Sequence, residues 1–168
     1  SVIVAFSAIT GTCMDEVRIL HVFRFDTDGN WVWDFDTGNA WTPQNRWVRD
    51  IAMLDDDTLA VAGYCTRPND TKTRYLLKLD AETGDYISAV FMDADYLMSR
   101  KLDVMITPTR VFYSAKSGDT YDYVLEAFTH EGVPVWSHDL GDEYVTSLCT
   151  GLNGRIYAVA RQEYHWYG

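Results

Sequence analysis

The stretch Phe25 to Trp33 (FDTDGNWVW) returns with the same spacing at Phe128 to Trp136 (FTHEGVPVW). In both, an aromatic residue is followed by three turn residues, a Gly, and a Trp four positions further on. A version one residue longer runs from Leu79 to Ser88 (LDAETGDYIS). Asp, Thr and Gly interrupt runs of apolar and aromatic residues at each place, which reads as two antiparallel strands joined at a tight turn. The turn glycines Gly29, Gly84 and Gly132 mark a period of about 50 residues, close to the repeat length of four-stranded sheet units.

The segments between these hairpins supply the remaining strands. Val2–Ala8, Arg18–Asp26 and Trp31–Asp36 form the first group, and Trp47–Leu54, Thr58–Tyr64 and Arg74–Leu79 lead through the second hairpin. Lys101–Ile106, Arg110–Ala115 and Asp122–Phe128 lead into the third, and Tyr144–Leu148 with Arg155–Arg161 begins the pattern again. Lettered a to d, the strands run b-c-d, a-b-c-d, a-b-c-d, a-b. Small residues recur around Ala5, Ala62, Ser114 and Ala160, as fits the inner strands of propeller blades, where space near the axis is tight. No segment has helical periodicity. The expected fold is all-β, a single partial β-propeller domain over 1–168, with blades at about 1–40, 46–95, 99–141 and 143–168.

Composition narrows the partners. Of 168 residues, 47% are hydrophobic and 14% aromatic, enough for a real core. Carboxylates outnumber Lys and Arg by 25 to 14, for a net charge of −11. Neutralising a phosphate backbone needs clustered cations, so nucleic acid is not expected as a partner, nor is an anionic membrane surface. The opening SVIVAFSAIT lacks a basic flank and is too short to span a bilayer. Cys13, Cys65 and Cys149 form no CxxC pair and lie in or beside apolar strands. They are expected to be buried free thiols, which leans toward a reducing compartment.

The hairpin LDAETGDYIS resembles the Leu-Asp-x-x-Thr-Gly-x-x-x-Trp unit of quinoprotein-like (PQQ-like) propeller repeats, with Ser88 where Trp is usual. The strand pairs DIAMLDDDTLAVAGY and VTSLCTGLNGRIYAV are similar to the a–b hairpins of a related bacterial repeat family. The resemblance covers nearly the whole chain and implies a propeller. In quinoprotein dehydrogenases it would further imply a bound quinone, a calcium-type metal and, in many members, a vicinal Cys pair. No such pair is present, and no cofactor is expected. About three and a half blades fall short of the 4–8 of known propellers. The expectation is a ring completed by a second copy, a homologous half or further sequence, and the stop in EYHWYG fits a fragment or closure between chains.

Candidate binding residues follow from the repeat. Asp50, Asp103 and Ser147 occupy equivalent places in strand a, facing either a central channel or a neighbouring blade. Trp41 and Trp47 flank a loop and could stack on a partner side chain or a sugar. The six Trp otherwise read as blade packing. Asp26 to Asn30 alternates oxygen ligands as calcium loops do, but Trp31 and Thr37 stand where such a loop needs Gly and Glu, so it reads as turn chemistry. Asp55, Asp56 and Asp57 share a hairpin tip, where mutual repulsion should raise their pKa values. The histidines and serines show no metal-ligand or nucleophile pattern, so no catalytic or metal residue is assigned. The function expected is a non-enzymatic scaffold for protein–protein association. The alternatives are part of a quinoprotein-like or carbohydrate-active enzyme, or a structural component of a large particle.

Overall fold

In the computed structural model, strand follows strand along the chain, and no helix occurs among the described residues, which are 1–10, 17–38, 44–66, 72–93, 96–97, 103–117 and 122–162. The chain divides into two compact units, Ser1–Ala94 and Asp95–Gly168.

In the first unit, β1 (Val2–Thr10), β2 (Val17–Phe25) and β3 (Trp31–Asp36) form an antiparallel sheet in sequential order. β4 (Gln44–Met53), β5 (Thr58–Thr66), β6 (Lys72–Asp80) and β7 (Tyr86–Asp93) form the second sheet, four strands in sequential order. The second unit holds β8 (Tyr96–Leu97), β9 (Val104–Ile106), β10 (Val111–Ser117), β11 (Tyr123–Phe128) and β12 (Pro134–Gly141) in the third sheet. There β8 and β9 both pair with β10, and β10, β11 and β12 follow in sequential order. β13 (Glu143–Thr150) and β14 (Ile156–Gln162) pair as the fourth. The fold is all-β with β-propeller-type antiparallel blades, as the repeat predicts. The short β8 was not foreseen.

Register shows how closely the sheets repeat. Val2 lies opposite Phe25, Leu59 opposite Leu79, and Val111 opposite Phe128. In the second sheet Asp50 pairs with Ala62 after a shift at Val48, and in the fourth Ser147 pairs with Val159 after a shift at Val145. Val159, rather than the neighbouring Ala160, therefore stands in the place of Ala62.

The core of the first unit lies between its two sheets. Leu20, Val22 and Trp33 of the first pack with Leu59, Val61, Leu77 and Leu79 of the second, all buried. Each such aliphatic side chain contributes about 1.5–3 kcal/mol. Gly63 is needed on β5 because a Cβ there would lie 1.9 Å from the Trp47 carbonyl oxygen. In the second unit, Met105, Phe112, Leu125 and Ala127 of the third sheet pack with Leu148 and Ile156 of the fourth. By register Phe112 corresponds to Ile3 and Leu125 to Val22, while Leu148 corresponds to Ile51 and Ile156 to Leu59. The two units thus use the same joint twice.

Candidate functional site

The joint in the first unit is closed by a tryptophan seated on a turn. Asp80 begins the β6–β7 turn by accepting from the N–H groups of Glu82 (2.9 Å) and Thr83 (2.8 Å), and Gly84 completes it at φ +79°. A Cβ on Gly84 would come within 2.7 Å of the Trp33 ring, so the absence of a side chain gives the indole its seat. The Trp33 Nε1–H donates to the Ala81 carbonyl at 3.3 Å. Arg24 Nη1 donates to the same carbonyl at 2.7 Å and to that of Glu82 at 3.2 Å. Beside this staple a cleft of about 530 Å³ opens between the sheets, with Ile3, Ile51 and Leu59 on its apolar wall and Asp56, Asp57 and Glu82 on its rim. The carboxylate rim suits a cationic group.

Two apolar faces lie open. On the first sheet Val2, Val4 and Phe6 are 58%, 42% and 44% exposed. Phe6, His21, Phe23 and Phe25 stack in a ladder with centroid spacings of 5.5 to 6.5 Å. These are the register positions that Leu59, Val61, Gly63, Tyr75, Leu77 and Leu79 fill in the second sheet, where all are buried. In the second unit Tyr157 and Val159 of β14 are exposed on the face of the fourth sheet opposite to Ile156, and Trp136 of β12 is exposed on the third sheet. Trp136 occupies the same place in its hairpin as Trp33 in the first.

The residues singled out from sequence fall as follows. Asp50, Asp103 and Ser147 share one register position on β4, before β9 and on β13. The Asp50 carboxylate accepts from the Ile51 N–H at 2.9 Å. The Asp103 N–H donates to Ser114 Oγ at 2.7 Å, and its carbonyl accepts from the Ser114 N–H at 2.9 Å. Ser147 is exposed. Trp47 sits on β4 with the Arg18 guanidinium 5.5 Å from its ring centroid, and its carbonyl accepts from Tyr75 Oη at 3.4 Å. Trp41 lies outside the described residues. Asp50 and Trp47 belong to one unit, Asp103 and Ser147 to the other.

Several expectations are corrected. Trp31 and Trp136 are 61% and 43% exposed, so they are not blade packing here; Trp33, at 6%, is. Cys65 is buried, but Cys149 is exposed on the uncovered face of the fourth sheet, and Cys13 lies outside the described residues. Asp55 is not pushed up by its neighbours. A hydrogen bond from the Thr58 side chain, then those from Asp57 N (3.0 Å) and Thr58 N (2.6 Å), hold its carboxyl below the usual value. Asp26 is lowered likewise by Asn30, whose side chain and backbone both donate to it at 2.9 Å. That geometry accounts for the oxygen spacing of the first turn by backbone capping. Among the described residues no group of three or more His, Cys, Asp or Glu is placed to hold a metal ion.

Sequence reading missed Arg24 and the Trp33–Gly84 seat. The signal was present as a Trp four residues after one turn glycine and another turn glycine about one repeat later. No family model, curated protein or solved structure matches the chain.

Proposed function

We propose that this chain is a non-enzymatic scaffold of propeller blades that associates with other protein through its uncovered blade faces. One observation carries the reading. The aromatic ladder of the first sheet, with Val2 and Val4 beside it, stands at positions that are packed away in the second sheet. A face built for burial and left in water is an association surface. Its pairing rule is visible next door, where the corresponding face of the second sheet takes Leu20, Val22 and Trp33 as its cover. The resemblance to quinoprotein-like repeats supports the blade architecture and supplies no chemistry to this reading.

Light scattering across a dilution series tests it. The native chain should show a mass that rises with concentration, and Val4→Lys with Phe6→Lys should hold it at the monomer mass. Both positions are exposed, so the pair should keep its strand signal in circular dichroism. A native chain that stays monomeric at every concentration sinks the reading, as does association that the double variant leaves unchanged.

A further inference from the structure

Three turns of the chain share one backbone pattern. In 26–30, 129–133 and 151–155 the first N–H donates to the carbonyl of the last residue, and the glycine N–H donates to the first carbonyl. Gly29, Gly132 and Gly154 all lie at left-handed φ. In the first two turns the opening side chain braces the loop. Asp26 accepts from Asp28 N at 2.8 Å and Asn30 N at 2.9 Å, and Thr129 accepts from Glu131 N at 3.2 Å and Val133 N at 3.3 Å. The turn between β13 and β14 opens instead on Gly151, which has no side chain to offer. A Cβ there would lie 2.6 Å from the Tyr157 ring, so the ring takes the space a brace would need. Bracing falls to Asn153, whose Oδ1 accepts from Arg155 N at 3.1 Å.

Asn153 and Gly154 form the one Asn-Gly pair of the sequence. A glycine in the second place leaves its backbone nitrogen uncrowded by a Cβ. The other asparagines precede Trp31, Ala40, Arg46 and Asp70. Both members of the pair are exposed. The matching tip of the second sheet, Asp55–Asp57, is exposed as well, although all four strands of that sheet are present. Exposure therefore belongs to this hairpin position and does not depend on what pairs with β14.

We propose that Asn153 is a site of spontaneous deamidation in the folded chain, and that its conversion loosens the β13–β14 turn. The Gly154 N–H must first leave the Gly151 carbonyl, 3.0 Å away, and Asn153 Oδ1 must leave Arg155 N. With no brace from position 151, one local opening of the turn frees both groups. The Gly154 nitrogen, its proton given to water, bonds to Asn153 Cγ. The Cγ–Nδ2 bond breaks, and the amide leaves as ammonia, taking a proton in exchange. Water then opens the cyclic imide at either carbonyl and leaves an aspartyl or an isoaspartyl residue at position 153. Each product adds a negative charge to the turn. The isoaspartyl form also routes the backbone through the former side chain, which removes the acceptor of the Arg155 N–H. Asp28-Gly29 holds the same place in the first turn and serves as the internal reference. It would have to expel water in place of ammonia, from a turn that Asp26 braces. The inference is independent of the scaffold reading.

Ageing the full chain in mildly alkaline buffer at physiological temperature tests it, with peptide mapping by mass spectrometry and isoaspartate detection. A synthetic peptide of residues 149–157 (CTGLNGRIY) is aged beside it as the unfolded standard. Amide should be lost at Asn153 in the full chain, with mixed aspartyl and isoaspartyl products, while Asn30 and Asp28 stay intact. Gly154→Ala places a Cβ where nothing lies within 4 Å, so the variant should keep the fold. It should slow the loss at Asn153 roughly tenfold by crowding the attacking nitrogen. The aged chain should exchange the amides of residues 151–155 faster than the fresh chain. Asn153 left intact in the full chain after the peptide has converted overturns the proposal. So does loss that Gly154→Ala leaves unchanged, or conversion without faster exchange in that turn.

Discussion

Trp33 and Trp136 stand at the same place in the same repeat, one almost sealed and the other nearly half exposed. The difference lies outside the residues themselves. Both follow a turn glycine by four positions, and both cap an antiparallel hairpin. What separates them is the next turn: Trp33 has Gly84 and the Ala81 carbonyl beneath it, and no described residue takes that part for Trp136. One side-chain role is therefore distributed over two neighbouring sheets. The tryptophan's worth is set by its neighbour.

The comparison breaks first at the tryptophans. Trp33→Ala should cost about 4 kcal/mol, since it removes a buried indole and leaves a cavity between two sheets. Trp136→Ala should cost about 1 kcal/mol or less, because most of what it loses is surface. Urea unfolding of the two variants measures the gap. Equal losses would mean that Trp136 is already seated in solution.

The turn glycines give the next test. Gly29 and Gly84 share a left-handed φ of +82° and +79°, but a Cβ on Gly29 meets nothing within 4 Å. Gly29→Ala should cost only the conformational penalty of about 1 kcal/mol. Gly84→Ala adds the collision with the Trp33 ring and should cost about 3 kcal/mol. The two effects couple, so in a Trp33→Ala background the Gly84 penalty should fall toward that of Gly29. A penalty unchanged in that background would show that the ring and the turn are energetically independent.

Arg24 sharpens the same contrast at smaller scale. Its guanidinium donates to two turn carbonyls, and Ala127 replaces it in the third sheet. Arg24→Met keeps the apolar stem and should cost about 1–2 kcal/mol, read by thermal unfolding. Faster amide exchange at residues 80–85 should accompany the loss, because the staple holds that turn against the first sheet.

These contrasts also say what the chain's residues reveal before folding. Hairpins were legible because polar turns containing glycine interrupt alternating apolar runs, and the shared register of Asp50, Asp103 and Ser147 followed from their equivalent places in strand a. Burial was not legible. Val4 and Val61 are the same residue at the same register position, yet one is 42% exposed and the other fully buried. Only a neighbouring sheet separates them, and local pattern carries no information about that neighbour. The buried Arg46 was missed for a related reason: its guanidinium donates to Thr37 Oγ1, a partner nine residues away across a loop that reads as polar and exposed.

The smallest effect concerns acid, and it again sets one hairpin against another. Asp26 and Asp80 begin the first two glycine turns, and hydrogen bonds from Asn30 and from Thr83, respectively, hold their carboxyls below the ordinary value of 3.8. Thr129 begins the third and caps Glu131 N and Val133 N with a hydroxyl that does not titrate there. A carboxyl lowered on folding stabilises the native chain above its unfolded value, and that contribution disappears as pH falls through the folded value. Both carboxyls lie at the surface, so the effect is small and confined to pH below about 4. Amide exchange at the first two turns should therefore quicken on acidification toward pH 3, after correction for intrinsic rates, while the third turn keeps its protection. Asp26→Asn and Asp80→Asn should each flatten that response at their own turn and leave the other unchanged. A loss of protection shared equally by all three turns would place the acid sensitivity in global unfolding instead of in the caps.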